Sequence, residues 1–459
     1  MKLKESYPVT NLLPSEIDVA IIGGGPAGAA TAIALQQQGY RRVAILEKSS
    51  QKDFCIGETV PPNIRSLLTQ LEVLHILNPE NHLPSLGNRS VWGSSELGFQ
   101  DFFFSLPGNG WHLNRSQFDT ALLEAAVERG AFLKRGVRLV GCDRLKNGKL
   151  NLMFLDADGS RFQLKTGFVV DATGRRSVFA TKQGANIVRM DSLVGIAAVF
   201  EFEGKAKEDC YTLVEAAELG WWYAARLPNN RAIVTLMSDR DLLRQHQFSR
   251  SSNWTAHLAK TRYVRELIAG TTSCSKLQIQ PAFSQYLDMM AGDGWLAVGD
   301  AACTFDPLSS AGIYKALRSG ILAAEAICGY LNSDGSALAE YVSQTRRQFE
   351  LYLEDRRHYY TLEQRWTDSK FWHRRRFQIS LDPSKLLCFQ RSPENTNILK
   401  RLKMYLPLRD LHLLCELCIG DKQASDVVAE FMTRSESRVS AYRVIEALQY
   451  LLSQQIILS

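Results

Sequence analysis

The chain has 459 residues, 45% of them hydrophobic and 22% charged, with a formal net charge of +6. That balance is ordinary for a folded globular protein and excludes both a disordered chain and a strongly basic nucleic-acid binder. The length exceeds what one core serves, so two or three domains are expected.

Residues 1–14 carry lysines but no apolar core and no small-residue cleavage site, so no secretory signal is predicted. The longest apolar stretch, Ile321 to Leu331, is interrupted by Glu325 and is far shorter than a membrane span. The expected compartment is the cytoplasm. Nine scattered cysteines, an odd number, fit reduced thiols better than a disulfide framework.

The first predicted unit runs from Ile17 to Glu47. Ile17 to Ile22 is an apolar strand, Gly23-Gly24-Gly25-Pro26-Ala27-Gly28 a glycine turn, and the alanine-rich run to Gln38 a helix. Gly23 permits the sharp turn, Gly25 lets a pyrophosphate approach the backbone, and Gly28 lets the helix lie close on the strand. Free N–H groups at the helix start favour phosphate. Val43 to Leu46 is a second strand, and Glu47 at its tip suits a ribose diol and repels a 2′-phosphate. The expected ligand is FAD or NAD.

Cys55 to Pro62 reads as a stiff loop, followed by a helix over Ile64 to Leu77 and an aromatic, glycine-rich strand region from Leu83 to Gly110 that includes Phe102 to Phe104. Trp111 to Arg115 precedes a helix over Ser116 to Arg129, with Ser116 as the expected cap. Strands over Val137 to Leu155 turn at Asn147-Gly148. Phe168 to Val170 is a buried strand ending in Asp171-Ala172-Thr173-Gly174-Arg175. Gly195 to Phe202, Thr212 to Glu215, Trp221 to Arg226 and Ala232 to Met237 predict an antiparallel sheet able to wall a pocket. Trp295 to Val298 predicts a third nucleotide-fold strand, closing with Gly299-Asp300-Ala301-Ala302. Asp306 to Gly312 then leads into a helix whose N-terminal end can hold negative charge.

Past about Ser336 the pattern is helical, with Tyr359, Tyr360, Trp366, Phe371 and Trp372 among Arg356, Arg357 and Arg374 to Arg376. A solvated basic face over an aromatic core is one reading, and a cleft gripping a polypeptide is the other. Cys415 and Cys418, near His412, have metal-site spacing but lack a second pair, so buried thiols are expected and no metal site is predicted.

Three apolar strands that each end in a Gly/Asp loop suit a long dinucleotide. GGGPAG with Glu47, DATGR at Asp171 to Arg175 and GDAA at Gly299 to Ala302 resemble the three FAD motifs of flavoprotein aromatic hydroxylases. The resemblance implies an α/β protein with a Rossmann-like FAD-binding domain of the p-hydroxybenzoate hydroxylase type over 1–82, 111–190 and 281–335. A β-sheet substrate domain would span 83–110 and 191–280, and a helical C-terminal domain 336–459. It implies FAD contacts from Gly23, Gly25, Pro26, Ala27, Gly28, Glu47, Lys48, Gly57, Thr59, Arg115, Asp171, Gly174, Gly299, Asp300, Pro307, Ala311, Gly312 and Ile313.

GET at Gly57 to Thr59 and DPLSSAG at Asp306 to Gly312 are similar to the branch containing tryptophan halogenases. Three features of halogenases are altered here. Leu86 to Ser94 holds Asn88 and Arg89 but no lysine, Ser309 stands where a glutamate would, and Trp221 to Pro228 replaces the W-x-W-x-I-P signature. The pattern instead resembles halogenase-related flavoproteins that oxidise tryptophan inside a partner enzyme during tryptophylquinone biogenesis.

That resemblance implies a monooxygenase using O₂ through a flavin C4a-hydroperoxide, with NAD(P)H as transient donor. Its partner would be an amine dehydrogenase or amino-acid oxidase precursor, with no nucleic acid involved. Trp221, Trp222 and Tyr223 are candidate catalytic-pocket residues. Glu58 and Asp306 are candidate bases by location. A halogenase or hydroxylase of a small aromatic metabolite and a non-catalytic FAD-bearing assembly factor are the alternatives.

Overall fold

The computed structural model describes residues 13–50, 57–102, 108–203, 210–376, 381, 384–389, 406–435, 439, 441–453 and 456–458. Residues 1–12, Cys55, Ile56, Phe103 and Phe104, on which expectations fell, lie outside the described residues.

The apolar run Glu16–Ile22 is the hub of an eight-stranded sheet. It pairs in parallel with Val43–Glu47 on one side and Arg161–Asp171 on the other, and these in turn pair with Phe132–Arg135 and Trp295–Ala297. Parallel strands covered on both faces read as continuous apolar runs, as in Ile17 to Ile22, Val43 to Leu46 and Phe168 to Val170, whereas the first half of Arg161–Asp171, paired antiparallel with Leu150–Leu155, alternates. The helices Pro26–Gln37, Arg115–Glu128 and Gly312–Leu331 contribute to the largest core cluster. Small residues let two of these helices approach closely: a Cβ on Gly320 would fall 2.8 Å from the Ala27 carbonyl oxygen. The cap of Arg115–Glu128 is Asn114 and not Ser116. Its side chain accepts from the Gln117 N–H, and Ser116 already lies inside the helix.

A second eight-stranded sheet runs in the order Thr271–Ser273, Leu193–Phe202, Arg231–Asp239, Gly220–Leu227, Tyr211–Ala217, Gly87–Val91, Gly98–Asp101, with Gln278–Pro281 also on Leu193–Phe202. It is antiparallel except where Tyr211–Ala217 pairs in parallel with Gly87–Val91, far apart in sequence. Asn229 and Asn230 take φ of +62° and +58°, the left-handed pair a tight hairpin requires.

The chain divides into compact units at Arg375. The helix Ala337–Leu362, grouped by pattern with a C-terminal domain starting at 336, belongs to the larger unit: Tyr341 joins the core beneath the parallel sheet, and Tyr360 joins Trp221, Phe371 and Trp372. The expectation of a solvated basic face fails for two arginines. Arg356 pairs with Asp191 and Asp306, while Arg375 holds Asp239 through two nitrogens and lies 3.7 Å from the Phe371 ring centre. Carboxylates at the end of one strand, Asp239, and in two loops, Asp191 and Asp306, draw these guanidinium groups inward.

The smaller unit, 376–459, has its own core of Leu411, Leu414, Val427, Phe431 and Leu448. Cys415 and Cys418 are buried in it, and burial pushes both thiols up to about 12. Among the described residues, no helix is long and apolar enough to cross a membrane.

Candidate functional site

Gly23 leaves the first strand at φ +113°, and a Cβ there would lie 2.3 Å from the Ala172 carbonyl oxygen. A Cβ on Gly28 would lie 2.1 Å from the Gly23 oxygen. These two glycines therefore build the turn. Gly25 differs: it caps the helix with no side-chain hydrogen bond, and a Cβ there would meet nothing within 4 Å. With Pro26 and Ala27 it lines a cavity of about 450 Å³. Glu47 closes the turn by accepting from the Gly24 N–H at 2.6 Å and the Ser49 N–H at 2.8 Å, whereas Lys48 is exposed and away from the cavity.

Many of the residues singled out in the sequence line this cavity, among them Gly25, Pro26, Ala27, Gly57, Thr59, Arg115, Gly174, Tyr223, Asp300, Asp306, Pro307, Ser309, Ala311, Gly312 and Ile313. All three glycine loops thus meet at one place. Gly299 makes the meeting possible, because a Cβ there would lie 2.7 Å from that of Ala27. Asp171 is buried behind its loop. Its carboxylate accepts from Thr173 N and Oγ1 and from Phe179 N and Ala180 N, so it organises the loop and does not line the cavity.

The helix Gly312–Leu331 starts at the cavity with no side-chain cap hydrogen bond, and the first-turn N–H groups of a helix favour an anion or an electron-rich ring. Lys315 in its first turn is 2% exposed and was not singled out in the sequence. A lysine in the first turn of a largely apolar helix, just after the Asp300 loop, was the signal. Its Nζ donates to Asp300 at 2.7 Å and to the Cys303 carbonyl. Burial raises the Asp300 carboxyl, but Lys315 and then Arg175, 3.8 Å away, more than offset it and hold it below the ordinary range. Arg115 donates to the Gly57 carbonyl at 2.8 Å and to Asp119.

The sheet supplies the opposite wall through Gly195, Tyr223, Thr235, Met237 and Gln280 to Ala282. Side chains alternate across a strand, so Trp221, Trp222 and Tyr223 cannot share one environment. Tyr223 faces the cavity. Trp222 lies on the other face against Trp254, 5.1 Å between ring centres. Trp221 is fully buried and donates its indole N–H to Tyr360 Oη at 3.0 Å. Neither tryptophan lines the cavity.

Tyr223 Oη donates to Glu58 at 2.5 Å and meets Thr59 Oγ1 at 2.6 Å. Glu58 is 2% exposed and also accepts from the Gly57 N–H. Burial raises its carboxyl above the ordinary range, with the Tyr223 hydrogen bond opposing. Asp306 is also raised by burial, with Arg356 opposing. It accepts from Tyr360 Oη at 2.8 Å and Arg356 Nε at 3.2 Å.

These residues fit an FAD. The open Cβ position at Gly25 leaves room for a pyrophosphate against the backbone, and two uncapped helix starts and Arg115 present positive charge to it.

The model of the tryptophan halogenase family matches residues 105–402, and that of FAD-dependent oxidoreductases matches 18–53. The chain belongs to the tryptophan halogenase family. A relative in the same range of similarity is the putative FAD-dependent oxidoreductase LodB of Marinomonas mediterranea, 32% identical over 78% of this chain and 96% of that one. Two solved structures share the fold. The myxobacterial chondrochloren halogenase CndH superposes with a TM-score of 0.71 at 20% identity, covering 96% of this chain and 97% of that one. The peptidyl tryptophan dihydroxylase QhpG, essential for tryptophylquinone cofactor biogenesis, does so with 0.64 at 24% identity, covering 82% and 84%. This member of the tryptophan halogenase family is thus an FAD-dependent oxidoreductase by kinship, with the Rossmann-like fold that kinship implies.

Proposed function

We propose that the protein is an FAD-dependent monooxygenase that hydroxylates a tryptophan side chain within a partner protein during tryptophylquinone biogenesis. It acts in the cytoplasm, with NAD(P)H as transient electron donor. The observation that carries the choice of oxygen over halide is the cavity wall: among the described residues no lysine lines it, and Ser309 does. Arg89, in the stretch where a halogenase would place its lysine, lies 4.1 Å from the Tyr211 ring centre and 5.4 Å from that of Phe99. The kinship to LodB, and the printed role of QhpG on peptidyl tryptophan, support a protein-bound substrate.

When bound, FAD supplies two-electron oxidation of the ring by dioxygen. The chain's own residues do the rest. Gly25 and the Pro26 helix start take the pyrophosphate, while Arg115 and Arg175 add positive charge. Tyr223, Met237, Pro281 and Ala282 wall the space for an aromatic ring and keep water out of it.

Co-expression of an amine dehydrogenase or amino-acid oxidase precursor with and without this chain, followed by peptide mass spectrometry, tests the reading. The expected result is oxygen added to a tryptophan only when the chain and its FAD are present. A chlorinated or brominated product would establish a halogenase instead. An unmodified partner together with no NAD(P)H oxidation would establish an assembly factor.

A further inference from the structure

Attack of an electrophilic oxygen on an indole carbon leaves a cationic ring with a proton still on the attacked carbon. That proton needs an acceptor inside a water-poor site. Among the described residues, two carboxylates line the cavity, Asp300 and Asp306. Asp300 is neutralised by the buried Lys315 ammonium at 2.7 Å. Asp306 is committed to Arg356, to Tyr360 Oη and, through its other oxygen, to the Leu308 N–H. Lys315 and Arg175 hold Asp300 below the ordinary range, and Asp306, although burial raises it, has both oxygens already engaged by Arg356, Tyr360 and the Leu308 N–H. A third carboxylate, Glu58, stands one hydrogen bond behind the wall. It forms no ion pair among the described residues, and its direct partners are the Tyr223 hydroxyl at 2.5 Å and the Gly57 N–H at 2.9 Å. Tyr223 is itself a wall residue, half-buried, on the strand facing the substrate side.

We infer that Glu58, reached through the Tyr223 hydroxyl, accepts the proton released when the oxidised indole regains aromaticity. This rests on the monooxygenase reading above. In the step, the C–H bond of the attacked carbon breaks and its electron pair returns to the ring. The proton passes to Tyr223 Oη as the Tyr223 proton passes to Glu58 Oε1, so the phenol ends neutral and the carboxylate ends as the acid. The oxygen and the two-electron oxidation come from dioxygen through the reduced cofactor.

Thr59 Oγ1, 2.6 Å from Tyr223 Oη, fixes the phenol between its partners. Arg115, bound to the Gly57 carbonyl and to Asp119, is a charged group acting on Glu58, and His112 lies opposite Thr59 across a strand pair with its Nε2 3.0 Å from Thr212 Oγ1. Burial raises the Glu58 carboxyl, which brings it toward the pH where a base is effective.

The test uses the FAD-loaded enzyme and a partner protein whose tryptophans carry ring deuterium. E58Q keeps an acceptor for the Tyr223 hydroxyl but cannot take the proton. Y223F removes the relay and keeps the ring's packing, so it carries the test if E58Q loses FAD. Both variants are expected to lower kcat by about 10²–10⁴-fold with KM unchanged, to lose the acid limb of the pH profile, and to show a larger deuterium isotope effect than the wild type. Variants that hydroxylate at the wild-type rate with an unchanged isotope effect would overturn the inference and leave the function standing. A wild-type enzyme that adds no oxygen to tryptophan would overturn both.

Discussion

At the scale of single residues, the glycines of the first loop separate into two kinds. Gly28 has no room for a methyl group, since the Gly23 oxygen would lie 2.1 Å from it, whereas Gly25 has open space on the cavity side. Gly28→Ala is therefore expected to destabilise the fold by about 2 kcal/mol or more, through forced displacement of the helix from the strand. Gly25→Ala should change the stability of the FAD-free protein by no more than about 1 kcal/mol, yet weaken FAD binding tenfold or more because the methyl occupies the approach to the pyrophosphate. Urea unfolding without cofactor and FAD titration by fluorescence check the pair. Equal losses in both measurements for Gly25→Ala would place that glycine in the fold alone. The three loops were legible because they combine glycines with flanking apolar strands. Which residues of WWY face the cavity was legible only in part, since alternation separates Trp222 from its neighbours but cannot say that Tyr360, far along the chain, takes Trp221 out of the wall. Lys315 went unnoticed for the same reason: its partner Asp300 is fixed by packing and not by spacing.

At the scale of elements, the parallel strands could be read from their apolar runs, and the hairpin at Asn229-Asn230 from its turn residues. The parallel pairing of Gly87–Val91 with Tyr211–Ala217 could not, because a strand's pattern records its burial and not its neighbour. Arg356 and Arg375 depart from the solvated-face reading on similar grounds. Charge in a sequence looks solvated until a carboxylate on another element claims it. Arg374 and Arg375 tie the segment around Lys370–His373 to the end of Arg231–Asp239 through Asp239, which is 1% exposed. Burial raises the Asp239 carboxyl, but the hydrogen bonds of Arg375 and Arg374 outweigh it and the net shift is downward. A carboxyl with a depressed folded-state pKa adds stability above its unfolded value, about 3.9, and that stability disappears as pH falls through the folded-state value. Unfolding midpoints are thus expected to drop between pH 5 and pH 3 in the wild type and to drop less in Asp239→Asn. That variant should already be weaker by about 3–5 kcal/mol at pH 7, since it leaves Arg375 buried without its anion. An identical acid dependence in the two proteins would remove Asp239 as the source.

At the scale of the whole molecule, the decisive boundary is the one at Arg375 and not one near 336. A helical pattern announces a helix but not which core receives its apolar face, so Ala337–Leu362 looked like the start of a separate domain. It instead supplies Tyr341, whose hydroxyl donates to the Ala297 carbonyl beside the third glycine loop. It also supplies Tyr352, Arg356 and Tyr360, which converge on Asp306 at the cavity. Removing this helix would strip partners from Asp306, Asp191 and Trp221 together and leave buried polar groups unpaired in the wall of the site. A chain ending at 375 keeps every one of these contacts, and residues 376–459 have a core of their own. Residues 1–375 are therefore expected to fold, bind FAD and melt in one cooperative transition, whereas residues 1–336 should be insoluble or retain no FAD. Flavin absorbance of the purified proteins and calorimetry distinguish the two. A yellow, cooperatively melting 1–336 fragment would show that the long helix is dispensable to the site and would return the boundary to where the sequence pattern first suggested it.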